Sequence, residues 1–154
     1  MTAADMNTIK RQVQIQAPRA RVWRALVTEG EFAKWFSVVF EGRFEAGRRI
    51  KMTSTHPKGQ GASFFVTVVE IQPERLFSWS WHPGVAAKGA DDSKEPATLV
   101  EFRLEDEDGG TLVTVTESGF DRISLSRRAK AFADNSEGWE IQMASLDRYV
   151  RAAD

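Results

Sequence analysis

Apolar residues recur every three or four positions along the C-terminal stretch, from Leu125 to Ala153. This spacing is typical of the buried seam of an amphipathic helix, and the opposite face carries mostly charged residues. The seam keeps its phase across Gly138, which favours one long helix, with a bend allowed at that glycine, over two shorter ones. The predicted seam consists of Leu125, Ala129, Phe132, Ser136, Trp139, Met143, Leu146, Val150 and Ala153.

Alternation of apolar and polar residues, typical of half-buried strands, fills most of the chain before that helix. The segment Phe64–Ile71 is apolar on both faces, so we expect it near the centre of a sheet. The acidic run Glu105–Gly110 is interpreted as a hairpin loop, and Pro83–Pro96 as a long irregular segment. The predicted strands cover residues 9–15, 40–45, 48–55, 64–71 and 76–82, then 100–104 and a last one around Val113 and Val115.

Two short helices are predicted directly after the first strand. Pro18 suits the first turn of a helix whose apolar face includes Trp23 and Leu26. Thr28 and Glu31 have the spacing of a capping box that would open a second helix. Its apolar face would carry Phe32, Trp35 and Phe36.

The order of elements indicates an α+β domain. Strands joined by hairpins make an antiparallel sheet, and such a sheet has one face on a core. The large apolar partner for that face is the C-terminal helix, so a curved sheet of about six or seven strands wrapped around it is the economical arrangement. We expect a flexible tail over residues 1–7 and a single domain over residues 8–154.

Charge and composition exclude several classes of function. The chain of 154 residues has 21 basic and 22 acidic side chains, with no basic cluster that would predict nucleic-acid binding. It has no Cys, which excludes disulfides and thiolate metal sites. No apolar run predicts membrane insertion, so we expect a cytoplasmic protein. No motif predicts a cofactor, so we expect none.

Aromatic residues are the compositional feature that bears on function, with five Trp and ten Phe against one Tyr. Strand parity and the helix seam direct most of them to the interior, where they would either line a ligand cavity or fill the core at ordinary density. The sequence does not decide between these alternatives. The inward set is Trp35, Phe36, Phe40, Phe44, Phe65, Phe77, Trp79, Trp81, Phe102, Trp139 and Met143.

Few polar residues are candidates for chemistry. Glu117 shares parity with buried valines, so it would be either a general acid or base, a structural ion-pair partner of Arg11, or exposed at a strand-end bulge. The sequence favours the ion pair or exposure. His82 would be a polar contact at a pocket mouth, and His56 and His82 lack the spacing of metal ligands, so no metal site is predicted.

Short motifs in a fixed order extend this interpretation. They are residues 17–18 with 22–26, Phe32 with Trp35-Phe36, residues 42–47, residues 73–76 with Trp79-Ser80-Trp81, residues 111–120, and Gly138-Trp139 with Leu146. Together they cover nearly the whole chain. The set resembles the helix-grip fold of the START-like (SRPBCC) superfamily, and more narrowly the bacterial AHSA-type relatives of the activator of heat-shock-protein-90 ATPase. The resemblance implies either a hydrophobic ligand held between helix and sheet or an interaction module.

The resemblance and the aromatic pattern together predict a protein that binds a small hydrophobic or amphipathic ligand, as a monomer or homodimer. One alternative is a chaperone-associated or other protein-interaction module. A second is a cyclase or hydrolase that uses Glu117, His82 or Tyr149, although no catalytic triad is visible. The predicted ligand-binding residues are Trp35, Phe36, Phe44, Phe65, Trp79, Trp81, His82, Phe102, Glu117, Trp139 and Met143.

Overall fold

The fold is an antiparallel sheet curled into a half-barrel around one long helix, as a computed structural model describes it for residues 7–57, 61–83 and 96–152. The strands are β1 (Thr8–Ile15), β2 (Val38–Val39), β3 (Arg49–Ser54), β4 (Ser63–Gln72), β5 (Leu76–Trp81), β6 (Thr98–Glu107) and β7 (Gly110–Ser118). The helices are α1 (Arg19–Val27), α2 (Glu29–Phe36) and α3 (Leu125–Ala152), with a short 3₁₀ turn over Phe120–Arg122.

The seven strands lie in the order β1-β7-β6-β5-β4-β3-β2, so the first strand pairs with the last and the others follow as hairpins. The pairing of β4 with β5 shifts register between Val68 and Glu70. Such a bulge bends a strand and increases its twist, which helps the sheet to curl around α3. The predicted helix-grip architecture is confirmed, including the two short helices after β1.

Helix α3 is continuous, as predicted, and its second half packs through the predicted residues Trp139, Met143, Leu146 and Val150. In the first half the predicted seam is right at Phe132, which packs partly buried against the core. It is wrong at Leu125, which is 79% exposed, and at Ala129, which is also exposed, whereas Ala131 outside the seam is buried. On a straight α-helix Leu125 lies only about 20° around the axis from Val150, so its side chain points in the predicted direction. Leu125 is the first residue of α3, and we attribute its exposure to its place at the end of the helix.

Side chains of α3 hold the end of α2. Ser145 Oγ donates a hydrogen bond to the Trp35 carbonyl oxygen at 2.7 Å, and Gln142 Nε2 donates to that of Phe36 at 3.1 Å. These carbonyls belong to the last turn of α2, where no intrahelical donor is available. The predicted capping box is wrong, because the Thr28 side chain makes no capping hydrogen bond.

Two predicted strand boundaries are also wrong. The segment Phe40–Glu45 is irregular, and only Val38–Val39 pairs with β3. Glu105–Gly110 is not a loop, since β6 and β7 continue to Glu107 and Gly110 and leave only Asp108 and Gly109 as the turn. Both turn residues have positive φ, 49° and 80°, which is the type I′ geometry that matches the twist of a two-residue hairpin.

Two predicted segments fall largely outside the described residues. Residues 84–95 of the irregular segment predicted over Pro83–Pro96 lie outside the described part of the chain. Residues 1–6 of the predicted N-terminal tail also lie outside it.

Candidate functional site

A cavity of about 740 Å³ opens between α3 and the β3–β5 side of the sheet. One wall of the cavity is aromatic, and its rim is formed by the middle turns of α3 and by His56 after β3. The lining residues are Phe36, His56, Phe64, Trp81, Asp134, Asn135, Glu137, Gly138, Trp139, Ile141 and Gln142. A space of this size, lined mainly by apolar groups with a few polar ones, is typical of a small-molecule site.

Four aromatic rings form one wall of this cavity, with Trp81 at their centre. The Trp81 ring centroid lies 5.8 Å from that of Phe64, 5.8 Å from that of Trp139 and 6.3 Å from that of Phe36. The Phe64 pair is edge-to-face, and the other two pairs are tilted. Because β5, β4, α2 and α3 each contribute one of these rings, the wall exists only in the folded protein.

Glu117 lies directly behind this wall and is fully buried, with 0% exposure. The indole N–H groups of Trp81 and Trp139 each donate to its carboxylate at 2.8 Å. Asn135 Nδ2 donates to both oxygens, at 3.0 and 3.1 Å, and the Thr98 hydroxyl donates to Oε2. An ionised carboxylate has acceptor sites for all of these donors. Within the described residues no Lys, Arg or His forms an ion pair with it, and the donors named here are all neutral.

The predicted ion pair between Glu117 and Arg11 is wrong, and so is the predicted exposure at a strand-end bulge. The β1–β7 register pairs Ile9 with Glu117 and Arg11 with Val115, two positions away. The Arg11 guanidinium instead donates to Ser136 Oγ and lies 3.7 Å from Glu140 on α3.

The predicted ligand-binding residues divide into two groups. Phe36, Trp81 and Trp139 line the cavity, and Glu117 supports it from behind. Trp79 and Phe102 pack against Trp139 on its other side, at centroid distances of 6.2 and 5.6 Å. Buried in the core, and not among the lining residues, are Trp35, Phe44, Trp79, Phe102 and Met143, while His82 is half-buried directly after β5.

The inward placement of Phe65 is wrong. Val66 and Val68 are buried, which assigns the even-numbered positions of β4 to the core face. Phe65 therefore lies on the outer face, where the guanidinium of Arg49 stands 3.6 Å from its ring centroid. Phe64 has the cavity position instead.

The sequence analysis missed eight of the lining residues, namely His56, Phe64, Asp134, Asn135, Glu137, Gly138, Ile141 and Gln142. The seam of α3 carried a signal for some of them, since Asn135 and Gln142 flank Trp139 at helical spacing. The amide nitrogens of both point to protein acceptors, Glu117 and the Phe36 carbonyl. Their side-chain oxygens make no hydrogen bond with any described residue.

Tyr149 belongs to a different cluster, about 21 Å along α3 from Asn135. Its hydroxyl donates to Glu31 at 3.0 Å, and Arg21 and Arg24 each contact the same carboxylate at 3.0 Å. Burial alone would raise the pKa of Glu31, but the hydrogen bonds and the two guanidinium charges outweigh it and hold that pKa below its usual 4.5. Burial and the contact with Glu31 raise the pKa of Tyr149 above 10.0. Glu117 and Tyr149 therefore do not meet in one catalytic site.

Two features are absent from the described part of the chain. Its His, Asp and Glu side chains form no group of three or more that is arranged to hold a metal ion. None of its helices is both long enough and apolar enough to span a membrane.

A curled sheet that grips one long helix and leaves a cavity beside it defines the START-like class of proteins. The profile of the Activator of Hsp90 ATPase homolog 1-like proteins matches residues 16–151. The chain therefore belongs to this family. A search of curated protein sequences gives no significant match.

Solved structures share the fold at low sequence identity. Protein MLL2253 from Mesorhizobium loti is 20% identical, with a TM-score of 0.74 over 96% of this chain and 98% of that one. The Aha1 dimer from Colwellia psychrerythraea is 21% identical, with a TM-score of 0.70 over 93% and 95%. DynU16, described as a putative protein in the dynemicin biosynthetic locus, is 23% identical with a TM-score of 0.72, over 94% of this chain but 47% of DynU16.

Proposed function

We propose that this protein binds a small hydrophobic or amphipathic molecule in the cavity between α3 and the curled sheet. The observation that carries the proposal is the contrast between this region and the rest of the interior. Elsewhere the sheet is filled by buried side chains such as Phe77 and Phe102, whereas Phe64 and Trp81 are only partly buried. Apolar rings that border a cavity of about 740 Å³ would be covered by an apolar ligand.

The buried carboxylate supports a binding role. A charge buried among apolar groups is costly unless it is fully hydrogen-bonded, and Glu117 receives donors from β5, β6 and α3. These contacts fix the orientation of Trp81 and Trp139, so the wall is rigid before a ligand arrives. A preformed wall lowers the entropic cost of binding.

The same arrangement does not favour the enzyme alternative. Glu117 is fully buried and is not one of the lining residues, and its oxygens are occupied by donors from Trp81, Trp139 and Asn135, which do line the cavity. A general acid or base has to come within hydrogen-bond reach of the reacting atom, directly or through one water.

Two neighbouring phenylalanines allow a matched test. Phe64→Ala removes a cavity ring, whereas Phe65→Ala removes a ring of the same size from the outer face of the same strand. We expect a panel of apolar probes to change Trp emission and raise the melting temperature, and we expect Phe64→Ala to weaken binding at least several-fold more than Phe65→Ala. At a hundredfold excess over Kd a ligand stabilises the native state by about 2.7 kcal/mol.

A blocking variant gives an independent check. Gly138 lines the cavity on α3, and a Cβ at this position would meet nothing within 4 Å. Gly138→Leu would place its side chain in the ligand space and abolish binding while the fold is kept. Gly30→Leu, on α2 and also without a neighbour within 4 Å, is the control. If no probe gives a fluorescence change or a thermal shift with the unmodified protein, the proposal is wrong.

The family name supports a second candidate function, action on an Hsp90-type chaperone. Exposed apolar residues that such a partner could cover are present in different elements, among them Val39 on β2 and Ile141 on α3. Stimulation of the ATPase of a bacterial Hsp90 by the purified protein would favour this function. If the stimulation persists in Gly138→Leu, the chaperone surface is separate from the cavity.

A further inference from the structure

Among the described residues, the Asp, Glu, Lys and Arg side chains that line the cavity are all acidic. Asp134 and Glu137 belong to its lining, and no Lys or Arg does among the described residues. Asp134 is paired with the exposed Lys130 at 2.6 Å, whereas Glu137 makes no ion pair with a described residue. Behind the wall, Glu117 adds a third carboxylate, which forms no ion pair with a described residue. Arg11, on β1, is engaged with Ser136 and Glu140 of α3.

The neutral polar side chains of the cavity also offer hydrogen-bond acceptors that suit a cationic ligand. Asn135 and Gln142 each direct the amide nitrogen to a protein acceptor, which fixes the orientation of both amides. Both amide oxygens are left to accept hydrogen bonds from a ligand, while Gln142 also keeps a second N–H that is not used in the bond to Phe36. The cavity thus offers acceptors on Asp134, Asn135, Glu137 and Gln142, with His56 as the exception among its titratable side chains.

The aromatic wall has a matching polarity. The face of an indole or phenyl ring is negative and attracts a cation within about 6 Å of its centroid. Trp81 and Trp139 both donate their N–H to the carboxylate of Glu117, and a hydrogen bond to an anion polarises the ring and increases the electron density on it. Both rings contact Glu117 and also line the cavity. The electron density that they gain from the hydrogen bonds is therefore available to a ligand in the cavity.

We infer that the ligand is an amphipathic cation: an apolar body that covers Phe64, Trp81 and Trp139, joined to a protonated amine that faces Glu137, Asp134 and the amide oxygens. This inference rests on the proposed function and names its ligand class. Anionic amphiphiles such as fatty acids are disfavoured, because their carboxylate would meet acceptors and like charges. The occupant is a free small molecule, which a cavity of about 740 Å³ can hold.

The test uses three probes with one apolar body and different ends: naphthylethylamine, naphthylethanol and naphthylacetate. Affinities are measured by calorimetry at neutral pH, where the amine is protonated and the acid ionised. We expect the amine to bind about tenfold more tightly than the alcohol, as a partly desolvated cation–π contact allows, and naphthylacetate to bind more weakly than the alcohol.

Charge variants show the origin of the preference. Glu137→Gln and Asp134→Asn remove rim charges with little change in shape, and each should reduce the ratio of amine to alcohol affinity several-fold. Glu105→Gln removes an equal charge from β6, about 23 Å along the strand from Thr98, and should leave the ratio unchanged. Using the ratio cancels any effect of a variant on the apolar body.

The outcomes separate the two proposals. If the alcohol binds and Phe64→Ala weakens it, but the amine is not preferred, the inference is wrong and the proposed function stands. A preference of equal size in Glu137→Gln, Asp134→Asn and the unmodified protein also overturns the inference, because the carboxylates would not be its source. If none of the three probes binds, both proposals fail.

Discussion

The indole N–H of Trp139 donates a hydrogen bond of 2.8 Å to Oε1 of Glu117, and both side chains are at least 98% buried. This contact joins the last helix to the last strand at the inner end of the cavity. Trp139 therefore has two roles. It packs in the seam of α3, and it hydrogen-bonds a buried carboxylate.

Truncation of Trp139 measures the first of these roles. Trp139→Ala should lower the free energy of unfolding by about 3–5 kcal/mol, the usual cost of removing a large buried aromatic side chain. Urea denaturation followed by circular dichroism gives the value. A loss within about 1 kcal/mol would contradict the packing of α3 on the sheet described above.

A comparison of two tryptophans isolates the hydrogen bond. Trp79 is buried to the same 2% exposure as Trp139, but its indole N–H has no hydrogen-bond partner among the described residues. Trp79→Phe and Trp139→Phe remove the same volume, and only Trp139→Phe removes a hydrogen-bond donor from Glu117, whose Oε1 then keeps Asn135 alone among the described residues. We expect Trp139→Phe to cost about 1–3 kcal/mol more than Trp79→Phe, as the loss of a hydrogen bond to a carboxylate does. Equal costs in urea denaturation would show that the Glu117 contact contributes nothing to stability.

The sequence predicts these contacts only in part. Parity correctly directs Glu117 inward, and the helix period correctly places Trp139 on the seam. The donors to Glu117 could not be predicted, because Trp81, Thr98 and Trp139 lie far apart in sequence and meet only through the register of β5, β6 and β7. The pattern within one segment of the sequence gives no information about contacts between distant segments.

The errors at the strands have a similar origin. Phe64 and Phe65 are both apolar, so alternation alone does not decide which of them faces the cavity, and only pairing with β3 and β5 does. The acidic residues before Asp108 have low strand propensity, yet pairing with β7 extends β6 to Glu107. Leu125 was misplaced because the helical period gives the direction of a side chain but not whether another element covers it at the end of the helix.

Acid should weaken the cluster that joins α1, α2 and α3. The pKa of Glu31 is held below 4.5 in the native state, so the ionised carboxylate contributes stability that is fully present above 4.5 and is lost as pH falls through the lower native value. Urea denaturation at pH 7 and at about pH 3.5 should show a smaller acid-induced loss for Glu31→Gln than for the unmodified protein. Glu45→Gln, an exposed control, should keep the full loss.

The hairpin between β6 and β7 contains two adjacent glycines with different constraints. Gly109 has φ of 80° and open space around it, so Gly109→Ala should cost about 1 kcal/mol for the left-handed backbone. A Cβ on Gly110 would lie 2.3 Å from the Ile15 carbonyl oxygen, so Gly110→Ala has to displace β1. We expect Gly110→Ala to be clearly the more destabilising in thermal denaturation; the reverse order would contradict the register at this edge.

Gly138 connects stability to binding. It lies inside α3, where glycine is less favourable than alanine by about 1 kcal/mol, and an added Cβ would meet no atom within 4 Å. Gly138→Ala should therefore stabilise the protein by up to about 1 kcal/mol in urea denaturation. The same methyl group would enter the cavity, so the affinity for the largest apolar probes should fall while that for small ones is kept. A variant that is stabilised and binds every probe with unchanged affinity would show that probes occupy another place, since Gly138 is part of the cavity lining.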